Sequence, residues 1–169
     1  MVGTMKDPQN KPAKSAPTRP PSPPVAVNRK ARFNYSIVDT MEAGIVLEGS
    51  EVKSLRAGKA QIAESYAHEQ NEEIWLLNSY IPEYDKASHF QHEARRPRKL
   101  LLHAKQVNKL IGQLRTKGIT LVPLSIYFNG RGKAKVELAI GKGKTLSDKR
   151  ETIKDRDWAR EKEAAMKNK

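Results

Sequence analysis

The strongest fold signal in the chain is a β-hairpin around an Asn-Gly pair. Apolar side chains occupy every second position from Val122 to Phe128 and again from Val136 to Ile140, which is the period of a strand with one buried face. Asn129-Gly130 lies between the two runs, and this pair readily adopts the positive φ angles of a tight hairpin turn. The pattern therefore predicts two antiparallel strands joined at this turn.

Other segments have shorter strand patterns. Residues 33–37 alternate apolar and polar side chains, and residues 44–47 indicate a bent strand that follows a glycine. Residues 66–77 contain two strand-like runs around four polar residues, which is typical of a second hairpin.

Two helices are predicted between the strands. Ser50 is a capping residue type before a short helix that Gly58 ends. A longer helix is expected between Leu102 and Lys117, because apolar residues recur at i, i+3, i+4 and i+7 and Gly118 follows. About six short strands with two helices are typical of a small, mainly β, closed or partly closed antiparallel barrel. A two-layer α+β sheet is nearly as consistent with the pattern.

The two ends of the chain differ from this central segment, residues 25–146. Residues 1–24 contain seven of the ten prolines, so we expect a disordered or polyproline-like arm, with an organelle transit peptide as the alternative. Residues 147–169 contain good helix formers, with Ser147 as the expected N-cap, but no continuous apolar stripe. An unpacked helix of this length is marginal in water. We therefore expect a tail that is disordered when free and helical on a partner; a solvated helix lying on the barrel is the alternative.

Charge points to a polyanionic partner. The net charge is +13, and residues 94–136 contain eleven Lys and Arg and no acid, whereas residues 61–93 contain seven acids and one base. Such segregation favours a face that attracts phosphate, with binding that weakens as salt rises. A merely solubilising role for these bases is the alternative.

Several functional classes lack their residue patterns. The chain has no cysteine, which excludes disulfide scaffolds and thiol chemistry and fits a cytoplasmic protein. Gly143-Lys144-Thr145 lacks the earlier glycine of a phosphate-binding loop, and His89 and His92 have no third ligand at a suitable spacing. The sequence contains no apolar run long enough to span a membrane. We predict no catalytic residue, no metal and no cofactor.

Several ordered motifs resemble the SsrA-binding protein (small protein B, SmpB) family. They cover essentially residues 28–169, and they are residues 28–32, 42–47, 49–60, 64–66, 98–103, 120–124 and 148–150. The resemblance implies an oligonucleotide-binding-type (OB) barrel with flanking helices. It also implies a protein that binds the transfer-RNA-like domain of transfer-messenger RNA and delivers it, with elongation factor Tu and GTP, to stalled ribosomes for trans-translation. The alternative is a generic basic ribosome-associated RNA-binding protein, and a small RNA-processing hydrolase is the enzyme rival.

The resemblance also implies two sets of contact residues. The RNA-binding set is Asn28, Arg29, Lys30, Glu42, Lys99, Leu101 and Lys135. The tail set, expected to occupy the vacant messenger channel and decoding site, is Lys142, Lys144, Asp148, Lys149, Arg150, Trp158 and Met166. Two positions depart from the family pattern: Phe33 stands in a motif where a histidine is frequent, and Thr145 stands where a lysine is frequent.

Overall fold

The described part of the chain forms a closed antiparallel β-barrel with four helices. The computed structural model describes residues 22–87, 89 and 91–167. Six strands follow one another around the barrel in the order β6-β3-β4-β5-β2-β7, and β7 pairs back onto β6, so the sheet closes. The strands are β1 (Ala26–Val27), which adds to β6 outside the ring, β2 (Tyr35–Ile45), β3 (Tyr66–Gln70), β4 (Glu73–Leu77), β5 (Arg98–Leu101), β6 (Ile119–Phe128) and β7 (Ala134–Gly143). The predicted barrel is confirmed, and the open two-layer sheet is not.

The β6–β7 hairpin forms as predicted, with a longer connection than two residues. The strands pair from Ile119 opposite Lys142 to Phe128 opposite Ala134. Residues 129–133 form the loop, in which the Asn129 side-chain oxygen accepts hydrogen bonds from the N–H groups of Arg131 and Lys133 at 3.0 and 2.9 Å. The Asn129 side chain therefore organises a wider loop.

The interior of the barrel is apolar and is closed by two helices. Helix α2 (Gly49–Arg56) buries Leu55 and helix α3 (Ala104–Leu114) buries Leu110 in the same core. Gly58, at a φ of +75°, follows α2 in a conformation that residues with a side chain rarely adopt. The predicted cap of α2 was wrong: the helix starts after Glu48, and the Glu51 carboxylate accepts a hydrogen bond from the Glu48 N–H at 2.9 Å.

One ion-pair network is buried under α2. Glu51 and Arg98 are both fully buried, and the Arg98 Nε donates to the Glu51 carboxylate at 3.0 Å. Arg96 donates to the same carboxylate at 2.6 and 2.7 Å. Burial acts to raise the pKa of Glu51, but the hydrogen bonds from Arg96 and the Glu48 N–H, with the charge of Arg98, hold it below its usual value. Arg96 and Arg98 are therefore engaged within the fold, and the eleven bases of residues 94–136 do not all form one phosphate-attracting face.

The strand prediction near residue 33 was wrong. Phe33 lies in a short helix, α1 (Ala31–Asn34), and the strand begins only at Tyr35. The Asn28 side-chain oxygen accepts a hydrogen bond from the Ala31 N–H at 3.1 Å, which favours a turn at this point. β2 runs from Tyr35 to Ile45 and so joins parts of the two segments that were predicted as separate strands, with a register shift against β7 between Ile37 and Asp39.

The C-terminal tail forms a helix, the form expected of it on a partner. Helix α4 (Leu146–Lys167) is continuous for 22 residues, although none of them is buried. Its cap is Thr145 and not Ser147: Thr145 Oγ1 accepts from the Asp148 N–H at 3.3 Å, and the Asp148 carboxylate accepts from the Thr145 N–H at 3.1 Å. Local capping and good helix formers thus give a helix that places no residue in the core.

The predicted proline-rich arm, residues 1–24, lies outside the described residues except for its last three. Within the described part of the chain, no helix has the length and apolarity needed to cross a bilayer.

Candidate nucleic-acid interface

Four strands bring residues from distant parts of the chain into one row on the outer face of the barrel. Tyr127 of β6 lies opposite Lys135 of β7, Lys135 lies opposite Gly44 of β2, and Gly44 lies opposite Leu101 of β5. Alternate residues of a strand point to opposite faces, and the intervening Ala43, Leu100 and Val136 are buried. We call these four residues the cross-strand row.

Leu101 is an exposed apolar platform in this row. Its side chain is 52% exposed, whereas Leu100 beside it is 3% exposed and belongs to the core. Gly44 permits the close approach of the two strands: a Cβ at position 44 would lie 3.1 Å from the Leu101 Cβ. Leu101 is therefore not a core residue, although it lies in a Leu-Leu-Leu run.

Glu42 lies next to the row, on the same face of β2. Its carboxylate accepts a hydrogen bond from the Tyr127 hydroxyl, and its other oxygen lies 3.9 Å from Lys135 Nζ. The Glu42 side chain remains 52% exposed and that of Lys135 is 25% exposed. The pair is close enough for mutual attraction and open enough to contact a ligand.

Glu42, Leu101 and Lys135 line one open cleft of about 610 Å³. The cleft combines apolar, cationic and hydrogen-bonding groups, and its other lining side chains include His103, Gln106, Phe128 and Lys133. His103 was in a family motif, but its position at the start of α3 gave no functional signal by itself. Phe128 and Lys133 were missed because their place in the cleft depends on the shape of the β6–β7 loop.

Arg56 supports one wall of this cleft. Its guanidinium lies over the Phe128 ring, 4.8 Å from the ring centroid, and donates to the Gly132 carbonyl at 3.3 Å. Arg56 thereby connects α2 to the loop that carries Lys133.

The remaining residues of the predicted RNA-binding set lie elsewhere or are engaged within the fold. Lys99 shares the outer face with Leu101 but is paired with Glu73 at 2.6 Å. Asn28 lines a second concavity of about 230 Å³, not the cleft. The Asn28 side chain is 4% exposed, and its amide donates to the Pro123 carbonyl at 3.2 Å. Arg29 and Lys30, which follow it, are exposed.

The tail set lies at the base of α4 and along it. Lys144 donates to the Arg32 carbonyl at 3.2 Å and to Thr152 at 3.1 Å. Hydrogen bonds from Thr145 hold the pKa of Asp148 below its usual value. Lys142 and Arg150 are exposed, and so are the apolar side chains of Trp158 and Met166.

Phe33 contacts the first half of α4. The ammonium group of Lys149 and the guanidinium of Arg156 each lie 5.9 Å from the centroid of its ring. These two residues are seven positions apart, so they share a face of the helix. Phenylalanine at position 33 therefore suits this contact with α4, whereas a protonated histidine there would repel both cations.

Comparisons with known proteins converge on one family. A family model described as SmpB protein matches residues 25–168. The SsrA-binding protein of Sinorhizobium medicae is 64% identical over 143 residues, which cover 85% of this chain and 90% of that protein. The SsrA-binding protein of Nitrobacter winogradskyi is 66% identical over 138 residues, covering 82% and 88%. A solved structure reported as "tmRNA-SmpB: a journey to the center of the bacterial ribosome" superimposes with a TM-score of 0.61 at 51% identity, over 71% of this chain and 84% of that one.

Proposed function

Because the chain belongs to the SmpB family, as its motifs predicted, we propose that it binds the transfer-RNA-like domain of transfer-messenger RNA and delivers it to stalled ribosomes. The names of its relatives and of its structural neighbour, which describe SsrA binding, tmRNA and the bacterial ribosome, support this assignment. The single observation that carries it is the cleft that gathers Glu42, Leu101 and Lys135 from three separate strands.

Each cleft residue has a chemistry suited to structured RNA. Lys135 supplies a cation for a backbone phosphate, and exposed Leu101 offers an apolar surface for an unstacked base. Glu42 supplies an acceptor for a ribose hydroxyl or a base amino group. Arg29, Lys30 and Lys99 add positive charge around this contact, whereas Asn28, buried and hydrogen-bonded, positions the Arg29-Lys30 turn.

Helix α4 performs the second part of the task. In this proposal it enters the vacant messenger channel and reaches the decoding site on the small-subunit RNA. Its bases Lys149 and Arg150, with Lys142 and Lys144 before it, pair with phosphates, and exposed Trp158 and Met166 supply apolar anchors. The absence of buried residues in α4 supports this role, because no core contact would be lost on transfer to a partner.

The protein acts by binding rather than by catalysis, and it acts in the cytoplasm, where ribosomes translate. Elongation factor Tu with GTP is a partner through the shared RNA. No cofactor is needed, since recognition by the cleft and the tail involves contact alone.

The deciding experiment is to identify the RNA that copurifies with the full chain from cells. We expect transfer-messenger RNA to be enriched and to resist competition by ordinary transfer RNA. Equal recovery of many structured RNAs would instead support the generic ribosome-associated protein. Labelled RNA incubated with the chain, with and without divalent metal, should remain intact; cleavage would support the hydrolase.

A variant pair tests the cleft itself. Leu101→Ala removes the exposed platform and should weaken binding of the transfer-RNA-like domain by roughly 1 kcal/mol, about fivefold. Val38→Ala is the matched control, because Val38 is 61% exposed on the neighbouring strand β2 but does not line the cleft. Equal affinities for the two variants would contradict the assignment of the cleft.

A further inference from the structure

Two acidic residues lie side by side next to the cross-strand row. Glu42 of β2 is directly opposite Glu137 of β7, and directly opposed residues have Cβ atoms about 4.5–5.5 Å apart. Two like charges at this separation destabilise the sheet, and both would repel an approaching phosphate. The two carboxylates therefore need hydrogen-bond donors that offset their repulsion, and their presence beside the cleft calls for a functional explanation.

Each carboxylate of the pair has its own buried hydroxyl donor on β6. Tyr127 donates to Glu42, and Ser125 donates to Glu137 at 3.1 Å. Tyr127 is 4% exposed and Ser125 is 6% exposed, so both donors are fixed by the barrel wall. Burial, together with the hydrogen bond to Glu42 and the nearby negative charges, raises the pKa of the Tyr127 phenol, which keeps it protonated and donating.

The hydrogen bond from Tyr127 fixes the orientation of the Glu42 carboxylate. Tyr127 engages one carboxylate oxygen, and the other oxygen lies 3.9 Å from Lys135 Nζ. The Glu42 side chain as a whole is 52% exposed and lines the cleft. An ionised carboxylate can only accept hydrogen bonds. With its orientation fixed, the second oxygen is an acceptor held in place beside the site where Lys135 would take a phosphate.

We propose that Tyr127 is a specificity-determining positioning residue, which holds Glu42 as a hydrogen-bond acceptor for a ribose 2′-hydroxyl and so lets the cleft prefer RNA over DNA of the same shape. This inference rests on the proposed function, because it requires RNA in the cleft. A 2′-hydroxyl can donate to the fixed oxygen, whereas deoxyribose leaves the carboxylate next to a phosphate without compensation.

The test compares the full chain and its variants on two probes, the transfer-RNA-like domain and the same molecule with deoxyribose at the nucleotides that the protein protects. Tyr127→Phe should reduce affinity for the ribose probe by about two- to tenfold, the range for one hydrogen bond. It should leave affinity for the deoxyribose probe and the salt dependence unchanged, because no cation is removed. Ser125→Ala is the matched control, and it should leave the preference for ribose intact, since it removes the donor of the other carboxylate.

A double-mutant cycle separates positioning from a purely structural effect. In a Glu42→Ala background, Tyr127→Phe should cause no further loss of ribose preference. Three outcomes of Tyr127→Phe would each overturn the inference. They are an equal loss of affinity for both probes, the same loss of ribose preference in the Glu42→Ala background, and no loss of affinity for the ribose probe when the wild-type chain binds it. Should Tyr127→Phe not fold, Glu42→Ala alone must abolish the ribose preference, and retention of that preference overturns the inference. Failure of the wild-type chain to bind either probe would instead reject the proposed function, and the inference with it.

Discussion

The barrel and helix α4 are held by opposite kinds of interaction. The barrel buries even a charged pair, Glu51 with Arg98, and every strand of its ring is hydrogen-bonded to two neighbours. Helix α4 buries none of its 22 residues. Long-range contacts therefore determine the barrel, whereas capping and short-range contacts determine the tail helix.

This difference gives the barrel a rigid cleft and leaves the side chains of α4 available to a partner. A binding cleft benefits from side chains positioned by the surrounding fold: Gly44 leaves room for Leu101, and Tyr127 hydrogen-bonds Glu42. A segment that must enter another particle benefits from having little to release, and α4 keeps Trp158 at 66% exposure. The following predictions test whether the two regions are as independent as this contrast implies.

The largest effect is expected on removing residues 148–169. Tagging of products from stalled ribosomes should be lost, because the barrel alone has no segment for the messenger channel. Affinity for transfer-messenger RNA should change by less than about twofold, since the cleft residues all lie before position 136. Tagging assays and filter binding measure the two. Continued tagging, or a large loss of RNA affinity, would contradict the division of roles.

Two acidic substitutions should differ greatly in their cost. Glu51→Ala leaves Arg98 buried without its partner and should lower the free energy of unfolding by about 3–5 kcal/mol. Glu163→Ala removes the exposed pair with Lys167 (2.8 Å) on α4 and should cost at most about 0.5 kcal/mol. Urea denaturation followed by Trp75 fluorescence, in chains in which Trp158 is replaced by Phe, measures both. Similar costs would mean that the barrel and the tail unfold as one unit.

The cap of α4 should affect the tail alone. Thr145→Ala removes the hydroxyl that accepts from the Asp148 N–H and should destabilise the helix by about 1 kcal/mol. Circular dichroism should show less helix with an unchanged barrel transition. Ser147→Ala is the control, and it should leave the helix content close to that of the wild-type chain. A larger loss with Ser147→Ala would restore Ser147 as the cap.

The smallest effect expected is a change in salt dependence. Lys135→Ala should lower the slope of log affinity against log salt for transfer-messenger RNA by about 0.9, the value for one duplex phosphate contact. Lys149→Ala, on the tail, should leave this slope unchanged. The opposite pattern would place the phosphate contact on α4 instead of the cleft.

The parts of the fold that sequence could predict are those with regular periodicity. Helix α3 and the β6–β7 hairpin follow from alternation and from the i, i+3, i+4 pattern. Most of their apolar residues enter the main core, although Val122 and Leu124 join a second, smaller cluster because the register shifts between Pro123 and Ser125. Strand β5 was missed because it begins with a buried Arg98, whose partner Glu51 lies 47 positions earlier. A charge far away in the sequence gives no local signal.

The sequence indicated the residues of the candidate site, but not the residues that position their side chains. The family motifs indicated Glu42, Leu101 and Lys135, and the structure brings these three into one cleft. Nothing local to Tyr127 or Gly44 indicates that they fix those side chains, because their roles depend on strand register. Register is set by the closure of the whole barrel, so it emerges only in three dimensions.

Strand β7 links the two regions and sets the spacing between them. Lys135 lies near its start and Gly143 at its end, directly before the base of α4. Eight residues of extended chain at about 3.3 Å per residue span about 26 Å. Since β7 is hydrogen-bonded on one edge to β2 and on the other to β6, its length is rigid. The distance between the cleft and the first residue of α4 is therefore fixed, so the position of the RNA in the cleft determines where the tail helix starts.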